Sequence, residues 1–218
     1  MDDYRRSPFE PYSSSGDIGK FSETEIEHLV VALGVLTLAF TFLFTDGVQG
    51  AIISPPTFIL YLPLAFVAVL TAFLCHELGH KFLAQKYGYW AEFRYNIQYL
   101  LLGLVLAALV GLLIAAPGAV YIRGNPTTEE NGKLSAAGPG INILVALAFV
   151  PVTIIFSSID IIAAFAFVIA IVNLFIAGFN MIPGWIFDGA KIWAWNKVLY
   201  AGMWVAIIAL GLFFYGVF

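Results

Sequence analysis

The sequence predicts an all-α polytopic membrane protein of about five to six transmembrane helices, with a small re-entrant β segment. Three observations carry this. Of the 218 residues, 61% are hydrophobic and only 11% charged, against about 25% charged in ordinary soluble chains. The mean hydropathy is +0.92. The apolar residues also gather in runs of roughly twenty, enough to cross about 30 Å of hydrocarbon at 1.5 Å per helical residue. Little chain remains for a soluble domain. The net charge of −4 is small and no basic stretch points to nucleic acid. The single cysteine excludes an intrachain disulfide framework.

Taken in order, residues 1–21 mix charge, Pro, Ser and Gly and read as a flexible cytoplasmic tail. Residues 22–218 then form one membrane-embedded domain. Ser22 and Glu25 make an S-x-x-E capping box before the first span at 29–44. Asp46, Gly47 and Gly50 end it, and Ser54-Pro55-Pro56 marks a turn. The second span runs from 57 to about 86, with a kink expected at Pro63. Lys81 is placed to snorkel toward the interface, and Tyr87, Tyr89 and Trp90 form an interfacial belt. A further apolar run at 97–116 ends at Pro117 and leads into a short strand near Val120, Tyr121 and Ile122. Residues 123–135 are polar and turn-rich and read as a small hairpin. Spans at 136–156, 161–181 and 198–218 complete the chain.

Lys and Arg give the orientation. Arg5, Arg6 and Lys20 precede the first span, the loop at 46–56 has none, and Lys81, Lys86 and Arg94 follow the second. The positive-inside rule places the N-terminus in the cytoplasm of a multi-pass cell-membrane protein.

The chemistry sits in the second span, where His76-Glu77-Leu78-Gly79-His80 reads H-E-x-x-H. Side chains four apart share a helix face, so His76 and His80 can close on one metal ion. Glu77 beside them can take a proton from water, the pattern of zinc peptidases. The bland reading pairs Glu77 with Lys81 and leaves the histidines hydrogen-bonded in a core. Ionisable groups inside an apolar helix are expensive, which favours function.

Zinc, one ion per chain, needs a third protein ligand. The third histidine, His28, lies in another run, so a carboxylate is expected. Asp188 is chosen because it follows a helix broken by Pro183 and Gly184, although it also suits a helix N-cap. Asp188 must reach the side and depth of the H-E-x-x-H helix. The chain must then cross an even number of times between residues 80 and 188, yet three apolar runs lie there. Residues 97–122 are therefore expected to enter and return on one side, an additional crossing being the alternative.

H-E-L-G-H in a membrane helix, Gly138-Pro139-Gly140 with Asn142 in a later one, and N-x-x-P-x-x-x-x-D-G from Asn180 to Gly189 together resemble the site-2 protease family of intramembrane zinc metalloproteases. The resemblance covers a three-helix catalytic core at about 57–190. It implies zinc on His76, His80 and Asp188, with Glu77 activating water. It implies that Asn142 holds an oxyanion or the substrate, the alternative being helix–helix hydrogen bonding. Asn180 is expected to support the ligands from behind. Gly118, Ala119, Val120, Tyr121 and Ile122 are expected to pair with an unwound transmembrane protein substrate by strand addition. The implied activity is a zinc metalloendopeptidase cutting peptide bonds within or near transmembrane segments. The rival is a non-enzymatic membrane protein that binds or transports a divalent metal.

Overall fold

The computed structural model describes residues 18–113, 117–184 and 186–217. Among these, five helices are long and apolar enough to cross a membrane. They are α1 (Glu23–Phe44), the continuous helix Pro55–Lys86, α6 (Thr128–Ile155), α7 (Asp160–Asn180) and α9 (Lys197–Val217). The second of these divides into α3 (Pro55–Val69), a π-helical turn at Leu70–Leu74 and α4 (Cys75–Lys86). Shorter elements are α2 (Gly47–Ile53), α5 (Ile97–Val110), α8 (Asp188–Trp195), and strands β1 (Trp90–Tyr95) and β2 (Gly118–Arg123). The protein is an all-α polytopic membrane protein with one small two-stranded sheet.

The burial pattern suits lipid rather than water. Ala32, Ala39, Ala65, Ala68, Ala146, Ala166, Ala170 and Ala177 are buried between helices, while Val30, Ile59, Leu60, Leu144, Ile161 and Leu212 point outward. Small residues let helix backbones approach closely where no hydrophobic drive separates inside from outside. Helix α6 lies at the centre, packed on α4, α7, α8 and α9.

Of the run at 97–116, residues 114–116 lie outside the described residues, and the helix that the rest forms is too short to cross. Helix α5 has 14 residues, about 21 Å of rise against roughly 30 Å of hydrocarbon. It packs along α1 and meets α2, and the chain then returns. Strands β1 and β2 pair antiparallel, with Tyr95 opposite Gly118 and Trp90 opposite Arg123. Both ends of the excursion are thus held together by a hydrogen-bonded ladder. Between residues 80 and 188 only α6 and α7 remain to cross.

Three local expectations are corrected. The polar segment 123–135 is no hairpin: Thr127 caps α6 by accepting from the Glu130 N–H, and the Glu130 carboxylate accepts from the Thr127 N–H. This T-x-x-E box starts the helix at Thr128. Helix α3 carries Pro63 in its interior, and a π-helical turn follows at Leu70–Leu74. Lys81 does not snorkel. It is 1% exposed, donates to Glu25 Oε2 at 2.6 Å and to the Ala91 carbonyl at 2.9 Å, and lies over the Phe21 ring. Ser22 caps α1, but the Glu25 carboxylate is committed to Lys81 and the Phe93 N–H instead of closing the box. Of the tail expected at 1–21, residues 1–17 lie outside the described residues. Gly19 and Lys20 are tied to the Gln85 side chain, and Phe21 packs edge-on against Phe82.

Candidate metal centre

Two helices, α4 and α8, bring three side chains together. The i, i+4 spacing on α4 puts the His76 and His80 rings 4.7 Å apart. Beyond the end of α7 the chain turns through Pro183 and Gly184, and Asp188 opens α8 without a side-chain cap bond. The Asp188 Oδ2 lies 3.5 Å from His76 Nε2 and 3.1 Å from His80 Nε2. One ligand atom from each residue falls within 4.8 Å of the other two. Ligands about 2.0–2.2 Å from a tetrahedral zinc stand about 3.3–3.5 Å apart, so the donor set fits such an ion.

Two glycines make the space. A Cβ on Gly138 would strike the Nε2 atoms of both histidines, 2.6 Å from that of His76. A side chain there would occupy the position an ion needs. A Cβ on Gly189 would run into the Met181 and Ile182 backbone, 2.8 Å from the Ile182 carbonyl oxygen. Glycine at 189 lets the start of α8 close on the end of α7, which delivers Asp188.

The other ring nitrogens are anchored. His80 Nδ1 donates to the Leu134 carbonyl at 2.7 Å. A carbonyl only accepts, so Nε2 keeps the lone pair that a metal requires. His76 Nδ1 lies 2.6 Å from Asn142 Oδ1. The Asn142 amide nitrogen donates to the Ala72 carbonyl at 2.9 Å and to Asn173 Oδ1 at 3.0 Å. Both its N–H groups are spent, so Asn142 has no donor left for a substrate oxygen. These bonds are those of the helix–helix alternative. Asn180 lines the cavity, but its amide donates back to Ile176 O on its own helix and not to a ligand residue.

Glu77 is half-buried beside the cluster, on the same cavity as Val120 of β2. A cavity of about 650 Å³ opens here. Its walls include His76, Glu77, His80, Asp188 and β2, with Leu36, Phe40, Tyr99 and Leu102 as an apolar side. Of the five strand residues, Gly118, Val120 and Ile122 turn their backbone groups to the cavity. Ala119 and Tyr121 face β1, as the opposite directions of the Phe93 and Tyr95 N–H groups require. Asn173 and Thr71, which the sequence reading passed over, join the cluster through Asn142.

No family model matches the chain, and no solved structure does. Two proteins of Methanocaldococcus jannaschii are similar to it. One, named "putative zinc metalloprotease", is 40% identical over 201 residues, covering 90% of this chain and 97% of the relative. The other, named "zinc metalloprotease", is 24% identical over 127 residues, 58% of this chain and 32% of the relative. With the first match spanning nearly both proteins, and with five apolar helices in the fold, the chain belongs to this zinc metalloprotease family as a membrane metalloprotease.

Proposed function

We propose that the protein is an intramembrane metalloprotease of the site-2 type, which hydrolyses peptide bonds within or near transmembrane segments of membrane-protein substrates. The observation that carries the reading is the convergence of His76, His80 and Asp188 beside Glu77, on a cavity lined by strand β2. His76, His80 and Asp188 would hold one zinc ion, in keeping with the relatives' names. When bound, zinc supplies a Lewis acid that polarises the scissile carbonyl and acidifies water.

The protein's own groups do the rest. A transmembrane substrate satisfies its amides internally, so it must unwind before attack. The edge at Gly118, Val120 and Ile122 offers partners for the amides released, and places the extended segment beside Glu77. Glu77 accepts a proton from the attacking water, the water oxygen bonds to the carbonyl carbon, and the C–N bond breaks as Glu77 returns the proton to the leaving amine. Apolar walls at Leu36, Phe40 and Leu102 keep bulk water off the substrate side. The distribution of Lys and Arg supports a cytoplasmic N-terminal side.

The test uses purified protein and a membrane-spanning model substrate. Glu77→Gln is expected to abolish cleavage while the zinc content stays at that of wild type. Full cleavage by that variant would defeat the proposal. Zinc accumulation in proteoliposomes without any cleavage by wild type would favour the transporter instead.

A further inference from the structure

The two histidines of the cluster are anchored by different means. The Leu134 carbonyl orients His80 directly. His76 depends on an amide, and an amide has two faces. If Asn142 presented its NH₂ group, His76 Nδ1 would have to accept, the proton would move to Nε2, and the ring could not ligate a metal. Something must hold the Asn142 oxygen toward His76.

The structure supplies a one-way chain of hydrogen bonds. The Thr71 hydroxyl donates to the Val67 and Ala68 carbonyls, each at 3.0 Å, so its oxygen is left to accept. Asn173 Nδ2 donates to that oxygen at 3.0 Å and to the Ile169 carbonyl at 2.9 Å. Asn173 therefore points its own oxygen at Asn142, where it accepts at 3.0 Å. The second Asn142 N–H goes to the Ala72 carbonyl, in the π-helical turn next to α4. Every link ends on a group that only accepts or has spent its donor. Asn142 and Asn173 are both 0% exposed, so no water competes for the amides. A flip of either amide would put NH₂ against NH or oxygen against carbonyl, with nothing to relieve it.

We propose that Asn173, locked by the Thr71 hydroxyl, is a positioning residue that sets the His76 tautomer through Asn142 and so controls how well the cluster holds its metal. The π-helical turn belongs to the device, because it carries both Thr71 and the Ala72 carbonyl. Such turns concentrate at functional sites. The inference rests on His76 being a ligand.

Zinc affinity, measured by chelator competition, and the visible spectrum of the cobalt-substituted protein test it without recourse to cleavage. Loss of an outer partner costs about 10–100-fold in metal affinity, and here about tenfold is expected for Asn173→Leu and somewhat less for Thr71→Val. Both should shift the cobalt bands, and Thr71→Ser, which restores the hydroxyl, should recover both readouts. Wild-type affinity and spectrum in Asn173→Leu would overturn the proposal. Equal losses in Thr71→Val and Thr71→Ser would do so too. If Asn173→Leu does not fold, the near-isosteric Thr71 pair decides. His76→Ala, measured alongside, separates the two ideas. Unchanged affinity in that variant refutes the ligand set itself, whereas a large loss there with silent Thr71→Val refutes only the relay.

Discussion

The two edges of the small sheet have opposite fates. On β1 the outward Phe93 N–H is taken by the Glu25 carboxylate at 2.9 Å and the Tyr95 N–H by His28 Nδ1 at 3.2 Å, both from α1. On β2 the outward groups face the cavity that Glu77 also lines. An unpaired strand edge is a template for any extended chain. Here a transmembrane helix covers one edge with two side chains and leaves the other beside the candidate catalytic carboxylate. A two-stranded sheet thus offers a single place for a third strand.

Three substitutions probe this asymmetry. The largest effect is expected from Glu25→Ala. It strips Lys81 of its counter-ion and the Phe93 N–H of its acceptor, and removing one partner of a buried ion pair costs about 3–5 kcal/mol. Thermal unfolding in detergent reads this as a marked loss of stability, and unfolding at the wild-type temperature would mean that α1 is not the seal. Next comes Val120→Pro, which removes an outward N–H without touching the ladder. One lost hydrogen bond of about 0.5–1.5 kcal/mol predicts roughly a tenfold fall in kcat/KM with stability retained. Cleavage at the wild-type rate would deny the open edge its role. The smallest is His28→Phe, which keeps the stacking on Tyr95, now at 4.1 Å between ring centres, and loses only the acceptor. About 1 kcal/mol of stability should go, with kcat/KM unchanged. A fall in kcat/KM would show that the closed edge also takes part.

Much of the site was readable before any coordinates. H-E-x-x-H places two candidate ligands by helical spacing alone, and the helix break at Pro183 and Gly184 pointed to Asp188 as the carboxylate. Bringing Asp188 to the side of the H-E-x-x-H helix then pointed to the apolar run at 97–116 as an excursion, because parity and flanking charge are global constraints that local hydropathy ignores. What could not be read depends on partners far apart in sequence. Lys81 looks like a snorkelling lysine until Glu25 arrives from 56 residues earlier. Asn142 looks like a free amide until Ala72 and Asn173 use both its N–H groups. Thr127 and Glu130 were a different case: their capping signal was present, but the Gly and Thr residues around it favoured a turn reading. Gly138 and Gly189 were visible as motif letters, and only the packing explains why a side chain is excluded at each.

The excursion through α5 also decides how the two ends of the fold relate. Six apolar runs would return the chain to the compartment it started from. Five crossings would not: they predict Ile18 and Val217 in opposite aqueous compartments. Reporters fused near the two ends would therefore light up in different places, and a partner appended beyond α9 would meet a different solution from one placed before α1.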